Sequence, residues 1–128
     1  MNKNKAIAID CDSEVLERIV TALEFYVESQ FPPGSVDCGQ VAREELLNVV
    51  ASLRASLEAR TPTRYSRRMR AMVKEGMRVY FEHLSTQDGR PHAHECEFLQ
   101  AASRGGNGST EALRSAQARD QVGTGTTP

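Results

Sequence analysis

Long apolar runs are missing from this sequence. The stretch behind Lys3 and Lys5 is only Ala6–Ile9, and Asp10 ends it. A secretory apolar region needs about 7–15 residues and a membrane-spanning helix about 20. We therefore expect a soluble, cytoplasmic protein with no membrane partner. Cysteine is equally scarce. Cys11, Cys38 and Cys96 form an odd, sparse set, unlike a disulfide framework and in keeping with a reducing compartment. Also absent are a Gly-rich phosphate loop, a Gly-x-Ser-x-Gly elbow and any convincing pairing of a nucleophile with a base. These absences argue against an enzyme and imply no cofactor. No internal repeat is visible.

What is present is helical periodicity and an uneven charge. The 128 residues fit one domain. The net charge of −1 conceals three regions: residues 1–59 sum to −5, residues 60–84 to +5, and the remainder to −1. A compact basic block beside an acidic half demands an explanation.

Three helices are expected, at about 13–30, 37–60 and 62–84. In the first, Val15, Leu16, Ile19, Val20, Leu23, Tyr26 and Val27 recur at helical spacing. Asp12 is a suitable N-cap, because its oxygen can accept from an unpaired amide of the first turn. The prolines of "FPPGS" stop this helix. Asp37-x-x-Gln40 has the form of a capping box for the second helix, with Val36 and Val41 spaced as a hydrophobic staple. Its apolar face is Ala42, Leu46, Val49, Val50, Leu53 and Leu57. Pro62 suits the first position of a third helix, which would fold back on the second as an antiparallel hairpin. Gly76 interrupts the apolar side of that helix, at about 1 kcal/mol relative to alanine, and would admit a close neighbour. The expected fold is thus all-α: a three-helix bundle within a helical domain at 1–103, with room for a short fourth helix at Glu97–Ala102. The polar, Gly-rich stretch 104–128 reads as a mobile tail, in which Thr110–Arg119 has weak helical character.

Two local patterns invite chemistry. Asp10-x-Asp12 behind an apolar run resembles the first motif of the haloacid-dehalogenase-type phosphatases. That resemblance implies a nucleophilic Asp10, an acid/base Asp12 and Mg²⁺. Ser13 and Glu14 follow where the family has a small pair such as Gly-Thr, and no further strands are legible, so the stretch reads instead as a helix start. "HAHEC" offers His92, His94 and Cys96 as zinc-type ligands near His83. The alternating spacing lacks the paired ligands of a structural site, and an exposed loop is expected.

The basic block is the best functional feature. Arg64, Arg67, Arg68, Lys74 and Arg78 are expected on the outer side of helix three; with Arg60 just ahead of that helix and Phe25 and Phe81 as apolar anchors, they form the candidate binding set. The expectation is a non-catalytic interaction protein, a regulator or adaptor. It would bind an acidic protein partner through arginine–carboxylate bonds, with a second copy of the chain as another candidate partner. The same basic residues, with Arg70, would also serve a nucleic-acid binder. A metal-dependent enzyme is the remaining alternative.

Overall fold

The computed structural model describes residues 6–125. Lys3, Lys5 and the last three residues of the expected tail lie outside the described residues. The elements run β1 (Ala6–Ile9), α1 (Ser13–Gln30), α2 (Asp37–Ala59), β2 (Thr63–Ser66), a short 3₁₀ turn (Arg67–Met69), α3 (Arg70–Asp88), α4 (Ala93–Ala102) and α5 (Thr110–Gly125). Among these, no helix is long and apolar enough to cross a membrane.

Helix α1 is the spine. Its apolar residues, joined by Ala22, are all buried: Val15, Leu16, Ile19, Val20, Leu23, Tyr26 and Val27. This stripe is wide enough to serve two neighbours, so α1 packs against α3 on one side and α2 on the other. The expected α2–α3 hairpin is replaced by this arrangement. The closely packed helix pairs are α1 with α3, α1 with α2, α4 with α5 and α3 with α4; α2 and α3 are not such a pair.

The reason lies in the link after α2. Pro62 does not begin a helix; Thr63–Ser66 pairs antiparallel with β1 in the register Ala6↔Ser66, Ile7↔Tyr65, Ala8↔Arg64 and Ile9↔Thr63. Threonine and tyrosine favour a pleated, half-buried strand, and the bare edge of Ala6–Ile9 supplies hydrogen-bond partners that a lone strand would lack. Tertiary pairing thus overrides the proline signal. It delays α3 to Arg70, and α3 then runs to Asp88, where Gly89 takes the left-handed φ of 70°. Ile7, Ile9 and Tyr65 face the core, while Ala6, Ala8, Arg64 and Ser66 face outward.

Gly76 performs the role its position suggests. A Cβ there would come within 2.9 Å of Leu23 Cδ2 and 3.0 Å of Tyr26 Cδ2, so the glycine sets how closely α3 approaches α1. The start of α2 differs from expectation. Val36, not Asp37, is the N-cap, and no side-chain cap bond is made. Val36 and Val41 are 79% and 56% exposed, so the staple does not contribute to the core.

The C-terminal third carries more structure than its composition suggests. Helix α4 begins at Ala93, ahead of the expected Glu97, and α5 occupies much of the stretch read as a tail. Leu113 is fully buried, with Ala116 and Asp120 on the same side of α5. Ser109 Oγ accepts from Ala112 N–H, and Asp12 Oδ2 accepts from Thr110 N–H at 2.7 Å. Asp12 therefore caps α5 across the fold; it makes no side-chain cap bond to α1. Leu113→Ala should lower the unfolding free energy by about 2–4 kcal/mol in urea titration followed by circular dichroism. A neutral result would mean that α5 is not docked.

Candidate functional site

The basic block is divided by the fold. Arg68 pairs with Glu45 of α2 at 2.7 Å. Arg78 lies between Glu75 and Glu82 on its own helix, and the hydrogen bond from Arg78 holds the Glu75 carboxyl below its ordinary pKa. Arg60 closes α2 in the left-handed region, φ 57°, and shares a hollow of about 210 Å³ with Asp10 and Asp12. These three positions are partnered or flanked by acid. Lys74 is exposed on α3.

The expected aromatic anchors are engaged in packing. Phe81 is only 3% exposed and sits in the core, at 5.0 Å from the Tyr80 ring and 6.0 Å from the His92 ring. The face of α3 that carries it points inward because it meets α1 and α4. Phe25 is half-buried and stacks on His83 at 4.5 Å between centroids. The surface contact sought from these rings is therefore not available from Phe81 and is partly used up at Phe25.

Arg64, Arg67, Arg70 and Arg104 remain. All are exposed, and none makes an ion pair among the described residues. Arg64 stands across from Ala8 on the outer side of the sheet. Arg67, Arg70 and Arg104 line one cavity of about 480 Å³ over Ala6–Ala8 and Gly105. The backbone around it is well fixed. Tyr65 Oη donates to Ser103 O at 2.8 Å, tying β2 to the end of α4. Gly106 N–H donates to Ala101 O and Gly105 N–H to Ala102 O, the paired bonds of a Schellman motif. Gly105 takes φ 95°, and a Cβ on it would sit 3.3 Å from Ala8 O. Burial raises the pKa of the Tyr65 phenol, while the nearby Arg104 and Arg70 pull it down less strongly.

Arg104 was hidden from sequence reading because it lies in the segment taken as a tail. Arg70 was legible as a member of the basic block. Its meeting with Arg104 depends on the β1–β2 pairing.

The "HAHEC" stretch is not a loop but the start of α4. His92 Nε2 lies 2.9 Å from Asp88 Oδ2. Asp120 accepts from the backbone N–H groups of His94 and Glu95, at 2.8 and 2.9 Å, and lies 3.0 Å from His94 Nδ1. It is thereby the cap that α4 lacks locally. Ligand-type atoms of His92, Glu95 and Asp120 lie within 4.8 Å of one another. Glu95 nevertheless accepts from Arg18 Nε at 2.6 Å and from Gln117. Arg18 thus supplies the counter-charge to Glu95. Cys96 is outside this group.

The two cysteines beside titratable clusters are poor nucleophiles. Burial raises the Cys11 thiol to about 11, helped by Asp10 and Asp12. Burial likewise raises Cys96 to about 11. At pH 8 about one thiol in a thousand is then ionised. No family model, curated protein or solved structure matches the chain significantly.

Two outcomes follow from this geometry. Iodoacetamide at pH 8 should label exposed Cys38 first in the native protein, with Cys11 and Cys96 reacting only on unfolding; intact-mass spectrometry reads the order. Arg18→Ala leaves a buried Glu95 carboxylate unpaired and should cost about 2–3 kcal/mol, discounted because Arg18 is 35% exposed. The double change Arg18→Met with Glu95→Leu should recover most of that loss in thermal melts.

Proposed function

We propose that this chain is a non-catalytic interaction protein that docks an acidic segment of a protein partner on the face bearing Arg64, Arg67, Arg70 and Arg104. The observation that carries this reading is the contrast in pairing. Arg43, Arg54, Arg68, Arg78 and Arg114 each meet a carboxylate within the fold, whereas these four exposed arginines meet none among the described residues. Like charges gathered without counter-charge repel. A partner that supplies carboxylates removes the repulsion and gains bidentate, charge-assisted bonds. The mechanism is occlusion of the partner's acidic surface, with no bond made or broken. A regulator or adaptor role agrees with it. Glu17, exposed on the outer side of α1, makes a second copy a further candidate occupant.

Nucleic acid is the second reading. It is favoured by Arg67, Arg70 and Lys74, which succeed one another at three- and four-residue steps into α3. Phosphate contacts give a steep loss of affinity with salt.

Arg64→Glu, Arg67→Glu and Arg70→Glu together should abolish cross-linked capture of the partner from native cells while leaving far-UV circular dichroism unchanged. Capture that survives the triple change sinks the face assignment. A gel shift with bulk DNA and RNA at low salt decides the second reading: a shift that collapses between 50 and 200 mM salt replaces the protein partner with nucleic acid.

A further inference from the structure

The cavity over the outer face of β1 is more specific than a general basic surface. We propose that Arg67, Arg70 and Arg104 form a binding site for the phosphoryl group of a phosphomonoester. The inference rests on the reading of this face as one that docks anions, and it names the group that the face recognises.

Three observations carry it. The guanidinium groups come from two distant pieces of chain, the 3₁₀ turn running into the first residue of α3 (Arg67 and Arg70) and the connection between α4 and α5 (Arg104). Convergence of this kind is not the incidental charge run of one solvated helix face. No carboxylate lines the cavity, and none of the three arginines has an ion pair among the described residues. The backbone that carries these arginines is also tied into the fold on both sides. Met69, buried between Arg67 and Arg70, anchors one side, and the Schellman turn with the Tyr65–Ser103 bond anchors the other. Preorganised side-chain bases reduce the ordering cost of binding.

Charge and size select the ligand. A carboxylate carries one negative charge and two oxygens, and leaves most of three guanidinium forks unsatisfied. A phosphomonoester carries close to two charges near neutral pH and presents three terminal oxygens, one for each fork. Arginine is suited to this planar, bidentate recognition. The volume of about 480 Å³ exceeds what a phosphate alone would fill. The excess lies over Ala6 and Ala8, whose methyl groups give a shallow apolar floor for the organic part of the ester. Larger side chains at these outward positions of β1 would fill that space. The phosphoryl group has two candidate sources, a phosphorylated side chain on a protein partner and a small free phosphomonoester.

Isothermal titration of the full chain at 50 mM salt distinguishes these outcomes. The probes are phenyl phosphate, a neutral hexapeptide bearing one phosphoserine, inorganic sulfate and poly-glutamate. Both phosphomonoesters should bind in one-to-one ratio and at least tenfold more tightly than sulfate. Arg67→Gln, Arg70→Gln and Arg104→Gln should each weaken them by roughly tenfold, while Arg114→Gln, paired elsewhere with Glu14, should change binding less than twofold. Ala8→Leu should exclude phenyl phosphate, and unchanged melting would show that the fold survives the substitution. A peptide affinity well above that of phenyl phosphate assigns the site to a phosphorylated side chain; equal affinities assign it to a small phosphomonoester. Absence of phosphomonoester binding overturns the proposal, and so does binding that the three arginine changes leave intact. Poly-glutamate bound without either phosphomonoester would overturn the phosphoryl site yet leave the acidic-partner reading standing. Failure of every probe would remove both.

Discussion

The girth of the apolar stripe on α1 governs the architecture. Val15, Leu16, Ile19, Val20, Ala22, Leu23, Tyr26 and Val27 form a buried stripe wider than a single neighbouring helix can cover. Two helices must flank it, and α2 and α3 take those places. Once they are held apart by α1, a tight turn cannot join them. The chain between them has to travel, and it does so as a strand and a 3₁₀ turn. The small sheet is thus a consequence of a helix that needs cover on two sides. Glycine at position 76 then allows α3 to lie close upon Leu23 and Tyr26.

Two aspartates do at a distance what caps usually do locally. Asp12 serves the first amide of α5, and Asp120 serves the first amides of α4. Each carboxylate satisfies donors that the start of a helix leaves free, and each ties two elements together in doing so. The Arg18–Glu95 pair adds a third tie, from α1 to α4. Such a pair is weak support for stability by itself, but it fixes which face of α4 turns toward α1.

Much of the helical core was legible in the sequence. The stripes of α1 and α2 and the stop at the two prolines read directly from periodicity and backbone chemistry. The parts that escaped share one cause: their signals are non-local. Thr63–Ser66 looks like the first turn of a helix until the edge of Ala6–Ile9 is placed beside it. Among its described side chains, helix α5 has Leu113 as its one large buried apolar residue, so neither hydrophobicity nor periodicity marks it. Asp12 was legible as a cap, but not for which helix. At the candidate site, the arginines of residues 60–78 stood out as a block. Their sorting into acid-paired Arg68 and Arg78 and unpaired Arg67 and Arg70 depends on where Glu45, Glu75 and Glu82 fall. Arg104 carried no signal of its own.

The bond from Thr110 N–H to Asp12 spans 98 residues of chain, and that from Arg114 to Glu14 spans 100. During synthesis the first strand and first helix therefore leave the ribosome long before their closing partners exist. Non-local closures of this length are slow because their entropy must be met before they reward it. At ordinary elongation rates of about 5–20 residues per second, Asp12 and Glu14 therefore wait about 5–20 seconds for the chain that carries their partners.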